Sequence, residues 1–397
     1  MLKYITAGES HGTQITAILS GFPAGVPVLA TDINRDLARR QMGYGRGGRM
    51  KIEKDKVEIC SGIRFGKSLG SPITMVIKNR DFANWEDVMS PTPGSVDSAR
   101  NVTRPRPGHA DLAGALKYAH SDARNILERA SARETAARVA VGSVCQCLLQ
   151  QFDIQVFAHV MRIGNVEGDF SRLSYREIRE LAEKSDVRCA DAEAEQEMRA
   201  KIDQAKAAGN TLGGVIEVIA TGAPVGLGDV MNWEDKLDGL LAQALMSIQA
   251  VKGVGIGKGF GASRMLGSNL HDEILFSREQ KDLPDGHGPS GGFYHSTNRA
   301  GGIEGGMSNG EPIIARVAFK PIPTMMTPKA SVDLSTKEPF EASRERSDVC
   351  AVPAAAVVAE AAVRFVLARV FLDKFGGDSL LEIRRNYEGY VDYLEQY

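Results

Sequence analysis

Two histidines sit in segments open to approach. His11 lies in Gly8-Glu9-Ser10-His11-Gly12, and His109 in Arg104-Pro105-Arg106-Pro107-Gly108-His109-Ala110-Asp111. Imidazole titrates near neutral pH, so it can move a proton or contact a phosphate. His11 follows a strand-like run and has small polar neighbours; a polar turn with an incidental His explains it equally well. In the second segment the prolines stiffen the chain and Asp111 is placed to cap the next helix. His109, Arg104 and Arg106 would then stand on a rigid loop at a helix start.

Arginines cluster around further breaks in the chain. Arg35, Arg39 and Arg40 run into Gly43-Tyr44-Gly45-Arg46-Gly47-Gly48-Arg49. The guanidinium fork matches phosphate or carboxylate. Gly43, Gly45 and Gly48 formally satisfy G-x-G-x-x-G, but a helix precedes them where a dinucleotide turn needs a strand, so the loop reads as polyanion-binding. The segment from Gly62 to Ser68 is one residue short of a Walker A loop and is rejected. Ser131-x-x-Glu134 has capping-box spacing before a long apolar helix. Capping leaves Arg129 and Arg133 unexplained, and two arginines beside free helix N–H groups make an anion site. Lys320-Pro321-Ile322-Pro323-Thr324 reads as a strand exit with a surface lysine. Arg346-Ser347-Asp348 opens an Ala-rich helix with Pro353 in its early turns, where Pro is tolerated. Asp348 suits an N-cap, or a carboxylate that holds or accepts a proton beside Arg346.

The chain that must position these groups has 397 residues, long enough to bury a sizeable core. Its net charge of -2 argues against bulk nucleic-acid coating, so any anion site must be local. The longest mostly apolar stretch, 349–363, is too short to cross a membrane, and Glu360 interrupts it. The first twelve residues lack a basic start followed by an apolar run, so no secretory leader is expected. Five cysteines without zinc spacing, Cys145 and Cys147 among them, predict reduced thiols and a cytoplasmic location. Strand-like runs fall at 2–6, 15–19, 57–60, 73–77, 215–220 and 313–319. Helical patterns fall at 31–41, 111–120, 131–151, 174–184, 191–208, 233–248 and 349–375. Without steady strand–helix alternation this is an α+β pattern. Residues 171–210 read as a charged helical insertion with a solvated face. Gly21-x-Pro23-x-Gly25 and Gly222-x-Pro224-x-Gly226 each follow a strand and precede a helix; two related halves and chance both account for this. The glycine clusters 286–292 and 301–310 are candidates for ordering on ligand binding.

Taken in order, GESHG, RRxxGYGRGGR, RPGHAD, RASARET, VKGVGIG, AGGIEGGMSNG, KPIPT and RSDVCAVPAAAVV resemble chorismate synthase, from Leu2 to about Phe375. The resemblance implies a single α+β domain with helices between antiparallel sheets, a homotetramer, and a step of the shikimate pathway to aromatic amino acids. It implies anti-1,4-elimination of phosphate from 5-enolpyruvylshikimate-3-phosphate, with reduced FMN. Residue by residue, it implies that His11 attends the leaving phosphate, His109 supplies a proton to the flavin, and Asp348 assists removal of the C6 proton. Ser10, Arg40, Arg46, Arg49, Arg106 and Arg133 would hold substrate anions. Ser131, Ala132, Arg133, Gln249, Ala250, Gly305, Lys320, Pro321, Ile322, Pro323, Thr324 and Arg346 would hold flavin. The family also assigns Arg40 and Arg46 to NADP. The chain has no large added segment for reducing its own flavin, so an external reductase is expected, with NADPH as the indirect reductant. No metal, membrane or nucleic-acid partner is expected. A net NAD(P)H oxidoreductase, and an RNA-binding protein using the Gly/Arg loop, are the competing classes. RNA recognition needs stacking aromatics, and only Tyr44 lies near Arg46.

Overall fold

The computed structural model describes all residues except 48–53, 94–99, 280–282, 328 and 343–347. Its strands form two main antiparallel sheets. The first runs, in spatial order, Lys3–Ala7, Gln14–Ser20, Ile73–Lys78 and Val57–Ile59. The second runs Val251–Ile256, Ile313–Phe319, Gly214–Thr221, Gln155–Ile163 and the short edge strand Val166–Glu167. Alternation sets their faces: in Gln14–Ser20, Ile15, Ala17 and Leu19 are buried, while the residues between them are half-exposed.

The two halves follow one path. Each lays down two neighbouring strands and a helix (Ala30–Gln41 or Leu237–Met246). Each then adds an outer strand, inserts a strand between the outer and second strands, and ends in a long helix (Thr135–Leu149 or Val352–Phe375). The correspondence extends to single hydrogen bonds. The Ser68 hydroxyl donates to Pro23 O and accepts from Val26 N at 2.9 Å. The Ser308 hydroxyl donates to Pro224 O and accepts from Leu227 N at 2.8 Å. Gly25 N donates to Ser68 O, and Gly226 N to Ser308 O. Each serine closes a two-residue hairpin, in Gly62-Ile63-x-x-Gly66-x-Ser68-x-Gly70-x-Pro72-Ile73 and Gly302-Ile303-x-x-Gly306-x-Ser308-x-Gly310-x-Pro312-Ile313. The shared G-x-P-x-G therefore marks matching latches in two similar halves. The Gly-rich stretch 301–310 is mostly this hydrogen-bonded latch, with Ser308 buried.

Four helices fill the space between the sheets, as an α+β sandwich requires. Thr135–Leu149 packs on the first sheet, and Val352–Phe375 on the second. Both are buried on nearly every side, which is why their sequences are apolar with no polar stripe. They cross at Gly142, where a Cβ would lie 2.4 Å from Ala361 Cα, so only a hydrogen fits. The charges inside this layer are paired. Arg364 binds Asp36 at 2.7 Å and Glu360 at 3.0 Å, and Arg39 Nη1 binds Glu360 at 2.8 Å. All five cysteines are unpaired; burial pushes the Cys147 thiol up to about 12.

The segment 171–210 does form two helices, Tyr175–Lys184 and Ala192–Ala207, opened by Ser174 and Asp191 caps. It is less solvated than its charge suggested. Glu183 pairs with Arg39 and Arg188, and Arg188 is buried and reaches Glu360 at 3.4 Å. The strands Gln155–Ile163 and Val251–Ile256 and the helices Arg124–Ala130 and Leu380–Gln396 lie outside the runs read from the sequence. Among the described residues, no helix is long and apolar enough to cross a membrane.

Candidate active site

The latches lie at one end of the sandwich, where the helices Ala30–Gln41 and Leu237–Met246 begin. At the other end those helices finish, and corresponding segments of both halves line one cavity of about 550 Å³. That volume falls within the usual ligand range, roughly 300–1,000 Å³. The long helices also begin here: Ser131, Ala132, Arg133 and Thr135 line it from one, and Asp348, Ala351 and Val352 from the other. Two helix N-termini directed at one space bring partial positive charge and unfilled N–H donors, which favours anions.

His11 enters on the turn between the first two strands. Its Nδ1 lies 2.9 and 3.0 Å from the Glu128 oxygens, and its backbone N–H donates to Glu128 Oε2 at 2.8 Å. The ring stacks on Trp85, centroids 4.2 Å apart. Burial pushes the Glu128 carboxyl up, but the His11 hydrogen bonds and the Arg124 charge outweigh it, leaving the group below its ordinary value.

His109 is held in a parallel way. Its Nδ1 is 2.5 Å from Asp111 Oδ1, while Arg106 Nε donates to Asp111 Oδ2 at 2.8 Å. Asp111 is fully buried, which alone would raise its pKa; His109 and Arg106 hold it well below the carboxylate range. The expected helix cap is absent: Ala110 is the N-cap position and no side chain caps it, because Asp111 is committed to Arg106 and His109.

The arginines arrive already paired. Asp55, with its side chain fully buried, binds Arg40 at 3.2 Å and also binds Arg133. Arg40 further donates to Thr135 Oγ1 and Ala132 O, both at 2.9 Å, and Arg133 to Asn79 Oδ1 at 2.8 Å. Burial lowers the Arg40 pKa to about 10, with Asp55 opposing and Arg133 and Arg46 adding to the fall. Arg46 pairs with Asp348 at 2.8 Å. Lys320 donates to Gly108 O; burial and the nearby Lys252 charge lower its pKa. The carboxylates fix each fork's direction, and two guanidiniums on one Asp55 leave a net positive wall.

The cavity gathers Ser10, His11, Arg40, Arg46, Arg106, His109, Ser131, Ala132, Arg133, Gln249, Ala250, Lys320, Ile322, Pro323, Thr324 and Asp348. Pro321 is exposed between two lining residues. Gly305 sits in the far latch, exposed, and its carbonyl accepts from Lys236 Nζ at 3.1 Å, so within this chain it does not join the lining. Arg49 and Arg346 lie outside the described residues. Arg129 faces elsewhere and ties Thr6 O and Gly8 O to its helix. The expected capping box is only half made: Ser131 Oγ accepts from Arg133 N at 3.3 Å, but Glu134 turns to Thr6, Arg138 and Gln249. Asp348 caps no helix; Ala351 occupies that position. Asp55, Asn79, Trp85 and Glu128 were not singled out in the sequence, and no local spacing marks them. Among the described residues no cluster of His, Cys, Asp and Glu could hold a metal.

Comparison with known proteins shows which family and fold the chain shares. The chorismate synthase family model matches residues 2–372. The chorismate synthase of Geobacter metallireducens is 58% identical over the whole of both chains, and that of Geobacter sulfurreducens 56%. A crystal structure of chorismate synthase superposes with a TM-score of 0.79 at 42% identity, covering 100% of this chain and 99% of the other.

Proposed function

The chain belongs to the chorismate synthase family, and on that premise we propose that it converts 5-enolpyruvylshikimate-3-phosphate to chorismate and phosphate by anti-1,4-elimination, as a carbon–oxygen lyase acting on a phosphate. One observation carries the reading: two carboxylate-held histidines and four carboxylate-held arginines meet two helix N-termini in a single cavity. The substrate brings a phosphate and two carboxylates, so it needs several converging cations. Arg40, Arg46, Arg106 and Arg133, with Arg49 beyond the described residues, bind these anions, and the Ser10 side chain stands beside His11. His11 delivers a proton to the departing phosphate. Asp348, 2.8 Å from Arg46, assists removal of the C6 proton.

Reduced FMN fits the same cavity. Ile248, Ala250, Ile322 and Pro323 give an apolar wall for a flat ring, and Ser131 to Arg133 with Lys320 suit its phosphate. Thr324, Gln249 and His109 would face its polar edge. When bound, the reduced flavin supplies a base for the C6 hydrogen and leaves the overall reaction redox-neutral. The reading extends to a homotetramer in the cytoplasm, served by an external flavin reductase that draws on NADPH.

Phosphate release from 5-enolpyruvylshikimate-3-phosphate under anaerobic conditions, with and without dithionite-reduced FMN, tests the proposal. Release only with reduced flavin, with chorismate formed one for one, is the expected result. Net consumption of NAD(P)H in step with substrate would instead mark an oxidoreductase.

A further inference from the structure

Glu128 is buried beside the cavity without lining it, yet it holds His11 from two sides. Its carboxylate faces Nδ1 at 2.9 and 3.0 Å and accepts the His11 backbone N–H at 2.8 Å, while its own backbone carbonyl accepts from Ser10 N at 3.0 Å. Arg124, 3.2 Å away, holds the carboxylate ionised and in place. An ionised carboxylate only accepts hydrogen bonds, so a contact at 2.9 Å requires a proton on Nδ1. Trp85 fixes the ring plane from one face, itself under Arg124 at 4.9 Å. Among the described residues, the carboxylate nearest the other ring nitrogen, Nε2, is Asp81 at 4.0 Å, beyond hydrogen-bond reach.

Resting on the reaction proposed above, we infer that Glu128 is a positioning residue that fixes the tautomer of His11 and leaves Nε2 as the nitrogen that exchanges a proton with the substrate phosphate. As the carbon–oxygen bond breaks with its electron pair going to phosphate, the Nε2–H bond breaks and an O–H bond forms on the phosphate. The neutral imidazole left behind keeps its Nδ1 proton, and Glu128 stays ionised throughout. A histidine free to place its single neutral-state proton on either nitrogen would spend part of its time with no acceptor facing the substrate for the return step.

Nitrogen NMR of the ¹⁵N-labelled full-length protein reads the tautomer directly, with the His11 ring assigned by its loss in His11→Gln. In the wild type, neutral His11 is expected to carry its proton on Nδ1. In Glu128→Ala the two tautomers should mix, kcat should fall about 10²-fold, and KM should stay within about threefold. Glu128→Asp, which keeps the charge, should recover at least about tenfold over the Ala variant. A wild-type proton on Nε2 overturns the inference, as does wild-type kcat in Glu128→Ala, or a loss confined to KM or to thermal stability. If Glu128→Ala does not fold, the wild-type spectrum decides. Failure of the wild type to release phosphate would refute the reaction and leave the tautomer result standing, so the two readings fail separately.

Discussion

Asp348 closes on Arg46 rather than on the helix it precedes. Its Oδ2 lies 2.8 Å from Arg46 Nη1 and its Oδ1 accepts from Gly47 N at 2.6 Å. This joins the glycine-arginine loop of the first half to the start of the long helix of the second, directly across the cavity. A carboxylate so placed can hold the loop and handle a proton, and the two roles separate on substitution. Asp348→Asn keeps an acceptor for Gly47 N but no basic oxygen. Turnover should fall about 10²–10⁴-fold, with the melting temperature nearly unchanged. Near wild-type turnover with reduced flavin supplied would leave Asp348 only the holding role.

Asp55→Ala should strip two buried guanidiniums of their shared carboxylate. Breaking a buried pair from one side costs about 3–5 kcal/mol. Denaturant unfolding should show this loss. Because an added anion can replace Asp55 between Arg40 and Arg133, inorganic phosphate should stabilise the variant more than the wild type. Equal stabilisation of both proteins would mean that the cavity arginines do not form one anion site.

The residues that read clearly in the sequence were those whose chemistry is carried by type and local spacing. His11 and His109, Arg40 and Arg46 beside Gly43 to Gly47, and Arg106 in the Pro-stiffened run line the cavity, whereas Arg39 pairs with Glu360 in the helix layer and Arg104 with Asp333. What did not read was partnership across the chain. Glu128 meets His11 at a separation of 117 residues, and Asp55 meets Arg133 at 78. Nothing near Glu128 or Asp55 predicts those meetings. Local capping rules failed at Asp111, Glu134 and Asp348 for one reason: each carboxylate has an arginine partner that outweighs a single backbone N–H. The duplicated latch was legible. The glycines, serine and Pro-Ile of residues 62–73 recur at 302–313, a longer repeat than the G-x-P-x-G echo.

Acid stability should depend on Asp36. Burial raises its pKa, but Arg364 and Arg39 reverse that and hold it at about 2, against an ordinary 3.8. A depressed carboxylate stabilises the fold above its unfolded pKa, and that stability is lost as pH falls through the folded value. The loss should therefore fall between about pH 4 and pH 2 and amount to roughly 2 kcal/mol. Urea unfolding at stepped pH checks it. Asp36→Asn should be less stable than wild type at neutral pH, with the difference shrinking by that amount at pH 2. A constant difference would remove Asp36 from the acid limb.

Gly142→Ala should destabilise the fold, although alanine favours helix by about 1 kcal/mol over glycine. The new Cβ would lie 2.4 Å from Ala361 Cα and 2.7 Å from its carbonyl oxygen, where the obstacle is largely backbone. The two central helices must separate, and overpacking of this kind costs about 1–3 kcal/mol. Since both helices begin at the cavity, a shift at their crossing should also weaken substrate binding. A stabilised Gly142→Ala variant would show that the crossing has more room than this.

Arg46→Ala distinguishes a substrate arginine from a cofactor arginine. Arg46 shares the cavity with Lys320 and the Ser131 turn, the groups suited to the flavin phosphate. Its removal leaves a substrate anion and Asp348 facing each other without a cation between them. Losing one partner of a desolvated charge pair costs about 2–5 kcal/mol. Most of that should appear in substrate affinity and turnover. FMN affinity, titrated alone by flavin fluorescence, should change less than substrate affinity does. Folding stability should change less than substrate affinity does, because Arg46 lies on a loop rather than in the packed helix layer. A nucleotide-binding loop predicts the reverse order, with cofactor affinity lost first. If FMN binding collapses while substrate binding is untouched, Arg46 belongs to the cofactor and the anion assignment of this loop fails.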